Sequence, residues 1–186
     1  MKDDFTIRTD ESEARAADRL GIADAAYIYG SAVDVIGNNR TSENGEKQAL
    51  AEATVLFAQA LTPDAQLSLF LAGPSGKSQP LGAGGPEETA KAVSAYFEAY
   101  GYVGTMHPVS NVRVSFTGPD TAVSTCQIPC YHWLADDRML LAPVSYRDEM
   151  VRFDGVWKIA KRSIYAMRFW VAEGYTPDPF DPSLLR

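Results

Sequence analysis

Histidine and cysteine are almost missing from this chain, with two of each in 186 residues. Long apolar runs are missing altogether. No stretch approaches the ~18 uninterrupted apolar residues that a membrane-spanning helix requires. The opening MKDDFTIRTDESEAR is polar and acidic, unlike a secretion signal. The expectation is a cytoplasmic protein with no membrane partner. Basic clusters are missing too: 17 Lys and Arg are outnumbered by 24 Asp and Glu, for a formal charge of -7. Nothing could neutralise a row of phosphates, which excludes nucleic acid as a partner. Cys126 and Cys130 lie four apart, about 13 Å on an extended strand, beyond disulfide reach. They read as buried apolar side chains. Cys130, His132 and His107 are the one set that could converge on an ion, but no established ligand spacing occurs, so neither a metal nor a cofactor is expected.

What is present is concentrated around the histidines. TMHPVSNVRVSF (105–116) and AVSTCQIPCYHWL (122–134) each carry one, and a turn at Gly118-Pro119-Asp120 joins them. In the second segment Ala122, Ser124, Cys126, Ile128, Cys130, His132 and Leu134 share one face, and their small and apolar character turns that face inward. His132 then sits among apolar neighbours, where an imidazole needs a partner or a task. In the first segment Val112, Val114 and Phe116 alternate with Arg113 and Ser115 as a half-buried strand. Pro108 interrupts it as a bulge or a strand start, which leaves His107 at a strand mouth.

The rest of the chain supplies a frame large enough for one domain over 1–186, with 1–11 as a leader and the Pro-rich 173–186 as a peripheral tail. A first helix runs from Ser12 to a stop at Gly37-Asn38, with Ile22, Ala26, Tyr29, Val33 and Ile36 as its core stripe. Asp34 lies about 100° around from Val33, badly placed for the helix dipole. Periodicity alone reads it as a solvated side chain, and either Tyr27 or Tyr29 could be its neighbour. A polar loop spans 38–46, a second helix Lys47 to Leu61, a strand Ala65 to Leu71, and a loop or cap 73–86. A helix starting at Pro86 continues to Tyr102, with Val93, Phe97 and Tyr100 on its apolar side. Strands Met139 to Phe153 and Trp157 to Trp170 flank an Asp154-Gly155 turn. The predicted fold class is α+β: three N-terminal helices packed on a strongly curved, mainly antiparallel sheet. A pocket with two inward histidines is then the default site.

The helix carrying YGSAVD, the segment LTPDAQL, the strand opening TMHPVSNVRV and the ending YRDEMVRFDGVWKIAKRSI resemble the nuclear transport factor 2-like superfamily, in its SnoaL-like branch. The resemblance covers roughly residues 18 to 172 and implies a cone-shaped α+β barrel. Among such proteins the scytalone dehydratase and bile acid 7α-dehydratase branch is similar in placing a histidine where His107 stands. The spacing of Tyr29 and Asp34 is similar to a tyrosine and aspartate of the bile acid enzyme, and His132 falls where scytalone dehydratase keeps a second histidine. The connection after Asp34 is longer than is usual in the family.

That resemblance implies a cofactor-independent elimination on a small apolar cyclic molecule such as a steroid, polyketide or terpenoid. His107 would be the general base, Asp34 its orienting partner, and Tyr29 and His132 hydrogen-bond donors. Candidate walls are Phe70, Phe97, Met106, Cys130, Met150, Tyr165 and Phe169, with Tyr100, Tyr131, Met167 and Trp170 beside them. The alternatives are a polyketide cyclase or ketosteroid-type isomerase, and a non-catalytic ligand-binding or subunit-association module. The resemblance also implies a homodimer, formed through a sheet face bearing Arg113, Arg147, Arg152, Lys158 and Arg162.

Overall fold

The computed structural model describes residues 13–39, 45–71, 78–166 and 169–172. The expected leader, tail and most of the 38–46 loop, together with Met167, lie outside the described residues. Helices α1 (Glu13–Asn39) and α2 (Gly45–Ala60) lead into strands β1 (Leu61–Leu71) and β2 (Ser78–Ala83), followed by α3 (Pro86–Tyr100). Strands β3 (Tyr102–Met106), β4 (Ser110–Phe116), β5 (Thr121–Leu134), β6 (Met139–Phe153), β7 (Val156–Ala166) and β8 (Trp170–Ala172) complete the chain. The described part of the expected 73–86 loop is largely strand, because β2 pairs antiparallel with β1.

Three helices pack on a strongly curled sheet ordered β2-β1-β7-β6-β5-β3, with β4 on β5 and β8 on β6. The sheet is mixed: β1 runs parallel to β7, while its other neighbour pairs are antiparallel. Its spine is β5 against β6, in register from Thr121↔Val151 to Trp133↔Met139. The β6–β7 turn has Asp154 at φ 50° and Gly155 at φ 79°, the two left-handed residues that match strand twist in a tight hairpin.

The predicted α1 stripe is buried in full: Ile22, Ala26, Tyr29, Val33 and Ile36 all face the core. The inward face of β5 behaves as its alternation requires, with Ala122, Ser124, Cys126, Ile128, Cys130 and His132 buried. Helix α3 starts with Pro86 and acidic Glu87 and Glu88, but it ends earlier than its periodicity suggests. Gly101 takes a left-handed C-cap (φ 68°) whose N–H is bonded to the helix carbonyls. Tyr102 therefore opens β3 instead of closing the helix.

One expected surface residue is not on the surface. Arg162 is fully buried, and its Nε and Nη2 donate to the two oxygens of Asp148 at 2.8 and 2.7 Å. Its guanidinium also lies 4.0 Å from the Tyr29 ring centre and 4.2 Å from that of Tyr146. A bulge in the β6–β7 pairing between Glu149 and Met150 shifts the register, so alternation counted from Lys158 assigns Arg162 to the wrong face. Arg152 and Lys158 are bound within their own chain, to Asp18 and Asp120 and to the Ala58 carbonyl.

Candidate active site

The first histidine segment is two strands laid end to end along β5. Met106 pairs with Tyr131 and Ser110 with Gln127, and His107-Pro108-Val109 between them is not in strand. Pro108 has no N–H to give, nor has Pro129 on the facing stretch of β5. β3 is an edge strand of the sheet, so the His107 backbone N–H, like that of Thr105, faces away from β5, and α1 supplies its partner.

Helix α1 meets β3 through its last two turns. The Asn38 side chain accepts from the Thr105 backbone N–H (2.9 Å) and donates to the Thr105 carbonyl (3.0 Å), closing an edge strand that would otherwise be open. One turn earlier, Asp34 Oδ2 accepts the His107 backbone N–H at 2.9 Å. Its Oδ1 accepts the Thr105 hydroxyl at 2.9 Å and lies 2.6 Å from His107 Nδ1. Gly37 and Gly30 flank Asp34 on the same helix face. A Cβ at Gly37 would overlap the Thr105 side chain, and one at Gly30 would come within 3.1 Å of the His107 carbonyl.

Asp34 is thus not the solvated side chain of the periodicity reading. Burial pushes its pKa up, but the hydrogen bonds from His107 and Thr105 outweigh that and hold it below the usual value. A carboxylate near a helix C-terminus is unfavourable; here three donors converge on it instead. With Nδ1 committed to Asp34, the ring of His107 has Nε2 for other chemistry.

His132 stands on β5 opposite Thr105. Its ring stacks on Tyr102 (centroids 4.3 Å, 25°) and meets the His107 ring edge-on at 5.3 Å. It is buried, and its Nδ1 has no hydrogen-bond partner among the described residues. Burial, and then the neighbouring His107, lower its pKa to about 3, so it is neutral. The two imidazoles therefore have different electrostatic surroundings: one faces a carboxylate and the other an apolar wall.

Both rings line an apolar cavity of about 80 Å³ between α1, α3 and the concave face of the sheet. Tyr29 is in its wall and Tyr27 is not, since Tyr27 lies exposed on the other side of α1. Burial raises the Tyr29 phenol to about 12, against the pull of Arg162, so it stays protonated. Among the predicted walls, Phe97, Cys130 and Phe169 line the cavity, Phe169 as a half-exposed ring. Burial also pushes the Cys130 thiol up and keeps it protonated.

The other predicted walls lie elsewhere. Met106 alternates with inward Thr105 and His107, so it is exposed. Phe70 and Tyr165 stack on each other at 4.9 Å, on the sheet face opposite Leu69 and Ile164, which do line the cavity. Met150 is inward and fully buried, but eight residues along β6 from Ala142 and beyond the Asp148–Arg162 pair. Tyr131 does not line the cavity, and Tyr100 and Trp170 are exposed. Lining residues not anticipated from sequence include Tyr96, Tyr102, Tyr146 and Ala142. Period-two counting along β6 from buried Ala142 to Tyr146 was the available signal for the last two. Among the described residues, no three His, Cys, Asp or Glu side chains form a group that could hold a metal.

A curled α+β sheet closed by three helices around a histidine-bearing cavity defines a nuclear transport factor 2-like fold. The SnoaL-like domain model matches residues 47–163, and the chain belongs to that family. The match begins after Asp34, so the helix that completes the histidine–carboxylate pair lies outside it. No curated protein matches the chain by sequence. Solved structures with the same fold include protein Kfla4162 from Kribbella flavida (18% identity, TM-score 0.63, covering 84% of this chain and 95% of that one). A candidate scytalone dehydratase from Novosphingobium aromaticivorans is similar at 16% identity and TM-score 0.61, covering 92% and 99% of the two chains. Hexachlorocyclohexane dehydrochlorinase LinA-type3 from Novosphingobium barchaimii is similar at 21% identity and TM-score 0.59, covering 88% and 99%.

Proposed function

We propose that this chain is a lyase that eliminates water, or a comparable leaving group, from a small cyclic substrate held in the cavity. The observation that carries the reading is the 2.6 Å contact between Asp34 Oδ1 and His107 Nδ1 beside an apolar cavity. In this reading His107 Nε2 takes a proton from a ring carbon made acidic by an adjacent carbonyl. The C–H electrons form the new C=C bond, the C–O bond breaks, and the departing oxygen leaves as water with a proton from the imidazolium. Asp34 fixes the tautomer and stabilises the imidazolium. Tyr29, protonated and in the wall, donates to the carbonyl or departing oxygen, and His132 contributes a neutral polar ring beside the base. Imidazole and carboxylate suffice for each proton transfer. The dehydratase and dehydrochlorinase names of the similar structures agree with this reaction class.

The test is incubation with a panel of cyclic β-hydroxyketones and hydroxylated ketosteroids, followed by mass spectrometry, for wild type, His107→Ala and Asp34→Asn. Loss of one water by wild type and by neither folded variant supports the elimination. A product of unchanged mass would indicate isomerisation or ring closure instead.

A further inference from the structure

The cavity also limits what can enter it. We infer that its ligand is an uncharged molecule of one or two rings and not a four-ring steroid skeleton. This builds on the cavity being the substrate site.

Size is the first ground. A volume of about 80 Å³ holds roughly five to eight waters, which as liquid occupy about 150–240 Å³. Two fused six-membered rings need about that space, and four fused rings about twice as much. The inner end cannot deepen cheaply, because behind Tyr29 and Tyr146 stands the buried Arg162–Asp148 pair. Moving either aromatic ring would strip the cover from that ion pair.

Charge is the second ground. Among the described residues no Lys, Arg, Asp or Glu lines the cavity. Arg162 gives Nε and Nη2 to Asp148, and its Nη1, unpaired among the described residues, is buried and outside the cavity wall, while the Asp34 carboxylate is taken by His107 and Thr105. An anionic ligand would find no counter-ion among the described residues, and a bare carboxylate in such a place is strongly disfavoured. The polar side chains in the wall are the two histidines and four tyrosines, set against Phe97 and aliphatic side chains. That pattern suits a flat, neutral ring system carrying a few polar groups.

Binding of unreactive probes tests this without requiring turnover. Titration calorimetry and thermal shift would compare 1-tetralone (two rings, neutral), 1-naphthoate (two rings, anionic) and androst-4-ene-3,17-dione (four rings). The expected result is that 1-tetralone binds and raises the melting temperature, and that the other two bind at least tenfold more weakly. Ala142→Leu, which fills the cavity from β6, should abolish the tetralone effect; Val93→Leu does the same from α3 should the first variant misfold. Steroid or naphthoate binding as tight as tetralone, or no tetralone binding at millimolar concentration, overturns the inference. Failure of the elimination reading looks different: tetralone binds selectively, yet no small hydroxyketone loses water. Dehydration of a hydroxysteroid would keep the elimination and discard the size limit.

Discussion

Asp34 and His107, 73 positions apart in the chain, are joined twice: one carboxylate oxygen holds the imidazole Nδ1 and the other holds the backbone N–H of the same residue. Ring and main chain of His107 are therefore fixed to a single side chain on α1. The second contact falls on the open edge of β3, where α1 also holds the Thr105 backbone N–H two residues earlier through Asn38.

Replacing that carboxylate should expose both of its roles. Asp34→Asn is expected to lower kcat by about 10²–10⁴-fold with a smaller change in KM, because the imidazolium is stabilised mainly in the transition state. The same variant has a stability signature. Asp34 has a folded pKa below its ordinary 3.8, so its contribution is present above that value and is lost as pH falls through the lower folded value. Urea unfolding between about pH 2 and 6 should show a shallower acid-side decline in Asp34→Asn than in wild type.

His132 titrates in a different window. Its pKa falls from 6.5 to about 3 on folding, so between those values the unfolded chain binds a proton that the native chain refuses. Native stability then decreases as pH drops through the window, by at most about 1.4 kcal/mol per pH unit. His132→Phe should flatten this part of the stability profile, measured by urea unfolding across the same range.

Close approach of α1 to β3 depends on Gly37. Gly37→Ala would push against Thr105, displacing a hydroxyl that donates to Asp34. A loss of about 1–3 kcal/mol is expected, together with a fall in kcat, although residue 37 lies outside the cavity wall. Thermal unfolding and steady-state kinetics on the same preparation check both.

The buried Arg162–Asp148 pair should show strong coupling. Asp148→Ala leaves a buried guanidinium uncompensated and is expected to cost about 3–5 kcal/mol. Asp148→Leu combined with Arg162→Met should recover most of that loss. Chemical denaturation of Asp148→Leu, Arg162→Met and the double variant closes the cycle and gives the coupling energy.

Much of this was legible in the sequence. The α1 stripe and the β5 alternation, including inward His132, follow from periods of 3.6 and 2 and are seen as such. Interruption at Pro108 was legible, but the partner of the His107 N–H was not: no local pattern shows that an edge-strand N–H will meet a residue on α1. Asp34 illustrates the limit most clearly. Periodicity places it at the border of a stripe, and only the packing of Gly30 and Gly37 against residues 105–109 turns it towards His107. Arg162 was misassigned because a bulge breaks the alternation, and Met106 and Phe70 because a large apolar side chain does not reveal which face of a sheet it occupies.

The central claim is that His107, held by Asp34, removes a ring proton. The most direct test follows a cyclic β-hydroxyketone by NMR with wild type and with His107→Ala, whose fold is checked by circular dichroism. Wild type is predicted to form the unsaturated ketone with loss of the proton beside the carbonyl, and His107→Ala to be slower by about 10²-fold or more. Equal rates of proton loss in the two proteins would contradict the account.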